Sequence, residues 1–238
     1  KPSSTDKKYF KWNELVMKKN AFITSTGTNI GKTFLTKMLI NRSIELNYKV
    51  SAIKPIISGF NKNNFDETDT GIIINALNAP KMDIDKISPW RFKEPLSPDL
   101  AAKNEGKYIN FEELIHFCEQ NINSKNNDLV LIEGVGGTMV PINDKFTIMD
   151  LIIKLNIPVI LTIGSYLGSI SHTLNAYEIF KKYNINISSI VVMQSESQDV
   201  GVENTIHSIQ NHIKKTPIIF FNRNNLDNIK VDKIIKNL

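Results

Sequence analysis

Short, almost uninterrupted apolar runs alternate along this 238-residue chain with longer segments of helical spacing. The apolar runs are residues 21–25, 50–54, 129–133, 159–164, 190–193 and 218–221. The helical segments are residues 33–46, 69–77, 111–122, 148–155, 171–182 and 202–213. A strand that is apolar at nearly every position suits a parallel sheet covered by helices on both faces. The alternation therefore predicts an α/β fold with a doubly wound, mainly parallel sheet flanked by helices.

Two stretches interrupt this alternation, and the first residues of the chain stand apart from it. Residues 58–66 predict a polar loop, and the proline-rich residues 79–103 predict loops with short helices. Residues 1–16 are polar and precede Met17, so we interpret them as an extension or an expression remnant. The alternative is an N-terminal helix around residues 10–17. Residues 17–238 are predicted to form a single catalytic domain.

Composition and charge exclude several classes of protein. No stretch reaches about 18 consecutive apolar residues, and the N-terminus lacks a signal-peptide pattern, so we expect no membrane association. The lone Cys118 cannot form an internal disulfide, which favours a reducing, cytoplasmic setting. The net charge of +5 comes from 29 Lys and Arg against 24 Asp and Glu, and it is spread along the chain. We therefore expect no nucleic-acid partner.

Residues 24–33, which read TSTGTNIGKT, join the first apolar run to the first helical segment. This is the context of a phosphate-binding loop (P-loop), whose backbone N–H groups and helix N-terminus bind anionic oxygens. Lys32 is predicted to reach the β- and γ-phosphates, and Thr33 to offer its hydroxyl to Mg²⁺. The consensus G-x-x-x-x-G-K-T requires glycine where Thr26 stands, and here the glycine follows one position later, at Gly27.

Charged residues follow two of the predicted strands and open a helix. Glu133 ends the run 129–133, so it is expected at the ligand-binding edge of the sheet as a metal or water-positioning group. Lys54 ends the second run, where it could neutralise charge on a transferring phosphoryl group or simply be a solvated lysine before Pro55. Asp69 opens a helical segment and, taken alone, is equally well explained as a helix N-cap.

Several blocks, in order and at comparable spacing, resemble the dethiobiotin synthetases, the ATP-dependent enzymes of biotin synthesis. The blocks are residues 23–33, 54–59 (KPIISG), 68–69, 97–102 (SPDLAA), 133–137 (EGVGG) and 164–172 (GSYLGSISH). The resemblance implies a single-domain P-loop fold with a parallel sheet that acts as a homodimer. It also implies the substrates 7,8-diaminopelargonate, CO₂ and ATP, with Mg²⁺ as cofactor. In that family, a carbamate forms on one substrate amine, ATP phosphorylates it to a carbamic-phosphoric anhydride, and the second amine closes the ureido ring.

The resemblance assigns a role to each matching residue. Lys54 and Lys32 would be catalytic, and Thr33, Asp69 and Glu133 would hold the metal. The ATP site would comprise Thr28, Asn29, Ile30, Gly31, Lys32, Thr33, Phe34, Asp69, Glu133, Gly134, Val135, Gly136, Met193, Gln194, Asn222, Arg223 and Asn224. The substrate site would comprise Lys54, Ser58, Gly137, Thr138, Leu167, Gly168 and Ser171, with the substrate carboxylate near residues 167–171 of the partner subunit.

Departures from the family pattern and rival functions remain. Asp99 stands where the family commonly has His, and Met193 stands where it usually has the Asn that reads adenine, so base preference is open.

The alternatives are a regulatory P-loop ATPase of the partitioning type, an amidoligase-like enzyme and a small-molecule kinase. The first would carry a second lysine near the start of the loop, where Gly27 stands. The second would need a further domain with a nucleophilic cysteine. The histidines show no metal-ligand spacing.

Overall fold

The computed structural model describes residues 18–195, 201–222 and 227–238, so the predicted extension at residues 1–16 lies outside the described chain. The strands are β1 Lys19–Ser25, β2 Val50–Ile53, β3 Ile56–Ser58, β4 Trp90–Phe92, β5 Leu129–Glu133, β6 Val159–Gly164, β7 Ile187–Met193 and β8 Ile218–Phe221. The α-helices are α1 Lys32–Glu45, α2 Asp69–Ala76, α3 Ile84–Ile87, α4 Pro98–Asn104, α5 Phe111–Asn123, α6 Ile148–Leu155, α7 Ser169–Lys182, α8 Val202–His212 and α9 Asn228–Lys236.

The predicted apolar runs form one 6-stranded sheet in the order β2-β5-β1-β6-β7-β8, in which every pair of neighbours is parallel. The predicted doubly wound α/β fold is therefore confirmed. Because β5 inserts between β2 and β1, the end of β5 lies beside the ends of both strands. Parallel strands place all their carboxyl ends at one edge, where α/β proteins bind ligands.

Side chains of the central strands pack into two apolar clusters, one on each face of the sheet. On β1, Phe22 joins one cluster, whereas Ala21 and Ile23 join the other. This alternation is the period of a strand, and it explains why a doubly covered strand is apolar at successive positions. Within the described residues, no helix is long and apolar enough to cross a membrane.

The structure differs from the predicted elements in three places. Residues 56–58 and 90–92, expected to be loop or strand-end segments, pair in parallel as a second, 2-stranded sheet. Helix α9 near the C-terminus was not predicted, although it has an apolar face at helical spacing, formed by the buried residues Val231, Ile234 and Ile235. Helix α7 begins at Ser169, two residues before the predicted start, because Gly168 takes the left-handed N-cap conformation (φ 96°). The strands of the small sheet, β3 and β4, were not predicted because three residues carry too few side chains for a periodic signal.

Candidate active site

The phosphate loop, residues 26–31, connects the end of β1 to the first turn of α1. Asn29 and Gly31 hold left-handed backbone conformations, with φ of 58° and 104°. Gly31 is the N-cap residue of α1, and within the described chain no side chain caps this helix and no acid lies in its first turn. The first N–H groups of α1 are therefore available to an anionic ligand.

Two glycines let other parts of the chain approach the phosphate loop closely. A Cβ on Gly31 would lie 3.2 Å from Cγ and 3.3 Å from Cε of Met193, the last residue of β7. A Cβ on Gly137 would lie 3.3 Å from the backbone N of Gly27 and 3.4 Å from the carbonyl O of Ser25. The loop is thus supported by Met193 and by the glycine-rich turn that follows β5.

Lys32 extends from the first turn of α1 and is 6% exposed. Its Nζ donates hydrogen bonds to the carbonyl O of Gly136 (2.8 Å) and to Oγ of Ser25 (3.0 Å). Burial, together with the nearby positive charge of Lys54, lowers the pKa of Lys32 to about 8. A third, longer hydrogen bond goes to the carbonyl O of Gly27 (3.5 Å). These three partners are uncharged oxygens, so a phosphate group would add a full counter-charge to this ammonium.

Glu133, the last residue of β5, is fully buried, and both of its carboxylate oxygens accept hydrogen bonds. Oε1 accepts from Oγ1 of Thr33 (2.6 Å) and from Nζ of Lys54 (2.7 Å). Oε2 accepts from Oγ1 of Thr36 (2.6 Å). Thr33 and Thr36 lie three residues apart on α1, and residues at this spacing share one face of a helix. The carboxylate is therefore held between α1 and the residue that follows β2.

Lys54 directly follows β2 and is 3% exposed, so the interpretation of Lys54 as a solvated lysine is wrong. Its Nζ lies 2.6 Å from Oδ2 of Asp69 and 2.7 Å from Oε1 of Glu133. Burial opposes the charge on Lys54, but the two carboxylates raise its pKa above the ordinary value. Burial likewise opposes ionisation of Asp69, whereas Lys54 lowers the pKa of that carboxyl. Lys54 and Asp69 are accordingly both charged at neutral pH.

The N-cap interpretation of Asp69 is also wrong. Thr68 is the N-cap residue of α2, and its Oγ1 accepts a hydrogen bond from the backbone N of Gly71 (3.1 Å). Asp69 is the first residue of the helix, so its carboxylate is not used in capping and reaches Lys54.

A cavity of about 660 Å³ opens beside these side chains. The predicted site residues that line it are Thr28, Asn29, Ile30, Gly31, Lys32, Thr33, Phe34, Lys54, Ser58, Asp69, Val135 and Gly136. Sequence reasoning assigned no role to the other lining residues, which are Ile57, Pro95, Leu96, Ser97, Pro98 and Val140. A signal did exist for two of them, because Ser97 and Pro98 open the block at residues 97–102 that resembles the dethiobiotin synthetases.

Other predicted site residues lie around the cavity without lining it. Glu133 accepts hydrogen bonds from Thr33 and Lys54, which line the cavity. The turn after β5, with Gly134, Gly137 and Thr138, lies against β1 and the phosphate loop. Met193 is buried beneath Gly31. The backbone N of Gln194 donates to the carbonyl O of Phe221 (3.1 Å), and Asn222 follows β8. Arg223 and Asn224 lie outside the described residues.

Leu167, Gly168 and Ser171 lie at the start of α7, beyond the carboxyl end of β6 and away from the cavity lining. Leu167 is 75% exposed. Ser169, the first helical residue, is 1% exposed, and its Oγ is a buried oxygen without a hydrogen-bond partner among the described residues. Leu167, Gly168 and Ser171 are exposed, so these three residues of the helix start lie on the surface of the single chain even though Ser169 is buried.

A parallel sheet that carries a phosphate loop between its first strand and first helix defines the P-loop class of nucleotide-binding proteins. The AAA domain family model matches residues 19–220. The chain is 38% identical to the ATP-dependent dethiobiotin synthetase of Acidiphilium cryptum, over 82% of this chain and 89% of that protein. It is 33% identical to that of Legionella pneumophila, over 82% of this chain and 90% of that protein. The chain belongs to the ATP-dependent dethiobiotin synthetase family.

Solved structures show the same fold at much lower sequence identity. The MinC:MinD cell division protein complex of Aquifex aeolicus matches with a TM-score of 0.54 and 17% identity, over 92% of this chain and 86% of that chain. The septum site-determining protein MinD of Pyrococcus horikoshii, complexed with Mg-ADP, matches with a TM-score of 0.50 and 14% identity, over 93% and 87%. At such identity the likeness establishes the fold alone.

Proposed function

We propose that the cavity beside Lys32 and Lys54 is where ATP drives closure of the ureido ring of dethiobiotin. The enzyme is a ligase of biotin biosynthesis and uses ATP. The observation that carries the assignment of the cavity is its pair of buried lysines, one from the phosphate loop and one from the end of β2, above two carboxylates. If the γ-phosphoryl group of ATP binds between them, the two lysines would provide positive charge on both of its sides, which stabilises the charge that develops during phosphoryl transfer.

The phosphate loop would hold the triphosphate of ATP. The N–H groups at the start of α1 would bind phosphate oxygens, and Lys32 would exchange the carbonyl of Gly136 for the β- and γ-phosphates. Little movement of Lys32 is needed, because the side chain already lies against the loop. The cavity lining at Thr28, Asn29 and Ile30 would surround the same phosphates.

Mg²⁺ fits the oxygen atoms that meet at Lys54. The Thr33 hydroxyl and the carboxylates of Asp69 and Glu133 are hard oxygen donors, and a positive charge already lies between the two carboxylates. The described residues contain no group of three or more His, Cys, Asp or Glu that could hold a metal, so an all-protein cage is not the arrangement here. Mg²⁺ is commonly held by one or two carboxylates plus the phosphates of a substrate. When bound, it would neutralise charge that develops on the phosphoryl group.

Lys54 and Ser58 would act on the substrate side of the cavity. A carbamate forms when one amine of 7,8-diaminopelargonate attacks CO₂ and loses a proton. Lys54 would stabilise the negative charge that the carbamate and the γ-phosphoryl group share during transfer. Ser58, the last residue of β3, lines the cavity, and its Oγ is a buried oxygen without a hydrogen-bond partner among the described residues, so it is suited to bind the carbamate or an amine. Attack by the second amine on the carbamoyl carbon would then release phosphate and close the ring.

A homodimer would complete the substrate site. The start of α7, with Leu167, Gly168 and Ser171, lies on the surface and away from the cavity of its own chain. Its N–H groups would bind the substrate carboxylate in the site of a partner subunit. Sedimentation at working concentration should show a dimer, and an active monomer would refute shared sites.

Product analysis tests the proposed function directly. With 7,8-diaminopelargonate, ¹³C-bicarbonate and ATP, the product should carry the label and have the mass expected for ring closure, and ADP should form only when diamine and bicarbonate are both present. A regulatory ATPase would release ADP without the diamine. A kinase would yield a stable phosphorylated product without the labelled carbon.

The remaining rival, an amidoligase-like enzyme with a cysteine nucleophile, finds no support at Cys118. The thiol is fully buried on α5, and burial raises its pKa, so the reactive thiolate is suppressed. A free, buried cysteine suits a reducing compartment, and we place the enzyme in the cytoplasm.

A further inference from the structure

Thr36 contacts the same carboxylate as the cavity residues but does not line the cavity itself. It is fully buried on α1, one turn after Thr33, and its Oγ1 lies 2.6 Å from Oε2 of Glu133. The same hydroxyl lies 3.0 Å from the carbonyl O of Lys32. A hydroxyl has one proton to donate, and the shorter distance and the charged acceptor assign it to Glu133.

The contact determines which oxygen of Glu133 faces the cavity. The backbone of Glu133 is held in the sheet, opposite Ile23 of β1, so the carboxylate retains only the rotations of its side chain. Thr36 binds Oε2 on the helix side, which leaves Oε1 toward Thr33 and Lys54, the two residues that line the cavity. Without the hydroxyl, Oε2 would be buried with one hydrogen-bond partner fewer. The carboxylate would then lower its free energy by turning toward other donors.

We propose that Thr36 is a positioning residue, which holds the carboxylate of Glu133 so that Oε1 is presented to the cation of the active site. This inference rests on the proposed function for the identity of that cation. Partners that hold a metal ligand in place often change metal affinity by about 10- to 100-fold when they are replaced. Thr36 would act through Glu133 and touch neither nucleotide nor substrate.

The test measures cation binding without turnover. Free Mn²⁺ is titrated in the presence of ADP and followed by electron paramagnetic resonance, with the wild type, Thr36→Val and Thr36→Ser. We expect Thr36→Val to weaken Mn²⁺ binding by about tenfold or more, and Thr36→Ser, which keeps the hydroxyl, to match the wild type. Binding of ADP without the metal should be unchanged in all three, because the phosphate loop is intact. If Thr36→Val fails to fold, Thr36→Ala removes the same hydroxyl with a better helix former and takes its place.

A matched control separates positioning from the loss of any buried hydroxyl. Thr205 is also fully buried on a helix, and its Oγ1 donates to the carbonyl O of Gly201 four residues earlier (3.4 Å). Thr205→Val should therefore bind Mn²⁺ like the wild type. Wild-type affinity in Thr36→Val, or equal losses in Thr36→Val and Thr36→Ser, would overturn the proposal.

The outcome for Thr36 is distinguishable from the outcome for the proposed function. A wild-type protein that binds no Mn²⁺ with ADP would overturn the cation assignment and this proposal with it. Formation of labelled dethiobiotin by the same sample would still establish the ligase activity.

Discussion

The Nζ of Lys54 lies 2.7 Å from Oε1 of Glu133, although 79 positions separate the two residues in the chain. The sheet explains this contact. Strands β2 and β5 are neighbours in a register that pairs Ile53 with Ile132, so the next residues of both strands face each other at the ligand-binding edge. The two charges are therefore positioned by strand pairing, and a charged lysine is held ready beside the cavity before any ligand binds.

Replacing Lys54 should separate phosphoryl transfer from nucleotide binding. In Lys54→Gln, we expect ATP binding to persist while turnover falls by about 100-fold or more, because a positioned positive charge at the phosphoryl group is lost. Equilibrium binding of ATP and single-turnover formation of ADP measure the two effects. Lys37→Gln, an exposed lysine on the same helix as Lys32, is the control and should be unaffected. Weaker ATP binding with unchanged turnover would instead show that Lys54 binds the ground state and the transition state equally well.

Lys32 should take up a proton when ATP binds at alkaline pH. In the free protein, burial and the nearby Lys54 lower the pKa of Lys32 to about 8 from the ordinary value of 10.5, so most of the population is neutral well above pH 8. Anionic phosphates favour the charged form and raise the pKa, which requires proton uptake between roughly pH 8 and 10.5. Calorimetry in two buffers of different ionisation enthalpy measures this uptake. The uptake should be absent in Lys32→Arg, whose side chain is always charged.

The same pKa shift predicts how the stability of the free protein depends on pH. The folded-state pKa of Lys32 lies below the unfolded value, so the unfolded chain binds more protons between about pH 8 and 10.5. The contribution of Lys32 to stability therefore increases as pH rises through this window. Lys32→Met should remove that part of the pH dependence in denaturant unfolding, and an unchanged pH profile would contradict the shifted pKa.

Gly137→Ala should weaken nucleotide binding through the backbone of the phosphate loop. The new Cβ would press on the backbone N of Gly27 and the carbonyl O of Ser25, which cannot swing aside as a flexible side chain would. Strain of about 1–3 kcal/mol should weaken ATP binding by about tenfold or more. Gly201→Ala is the control, since its Cβ would lie no closer than 3.6 Å to Asn204. Equal ATP affinities in both variants would show that the close approach is unimportant.

Base discrimination should be weak, because Met193 stands where dethiobiotin synthetases usually carry an adenine-reading Asn. Met193 is buried against Gly31, and its thioether is only a weak acceptor. The N–H of Gln194 continues the β7–β8 ladder, so the Gln194 side chain is expected on the opposite face from Met193. We expect kcat/KM for GTP and CTP within about tenfold of ATP, because roughly 1–2 kcal/mol of hydrogen bonding is missing. A preference for ATP above about 100-fold would contradict this expectation.

The large sheet and the phosphate loop were predictable because their signals are local. Each strand of the main sheet is a continuous apolar run, since both of its faces are covered. The loop connects a strand to a helix within one short segment, so its glycines, Lys32 and Thr33 are recognised together. The small sheet of β3 and β4 was not predictable, because each strand has three residues and its partner is far along the chain.

The amino-acid sequence by itself determined the α/β class, the strands of the main sheet, the phosphate loop and the family, all of which depend on residues close together in the chain or on ordered motif blocks. Only the tertiary structure decided that Lys54 is buried between Asp69 and Glu133, that Met193 packs beneath Gly31, and that Thr36 binds the far oxygen of Glu133. The contacts of Lys54 and Thr36 with Glu133 follow from the order β2-β5-β1 and from the packing of α1 and α2 on the sheet, whereas the contact of Met193 with Gly31 depends on the place of β7 beyond β6. The residue type of a threonine or a methionine does not predict its distant contact partner, because such contacts depend on which strands become neighbours when the chain folds.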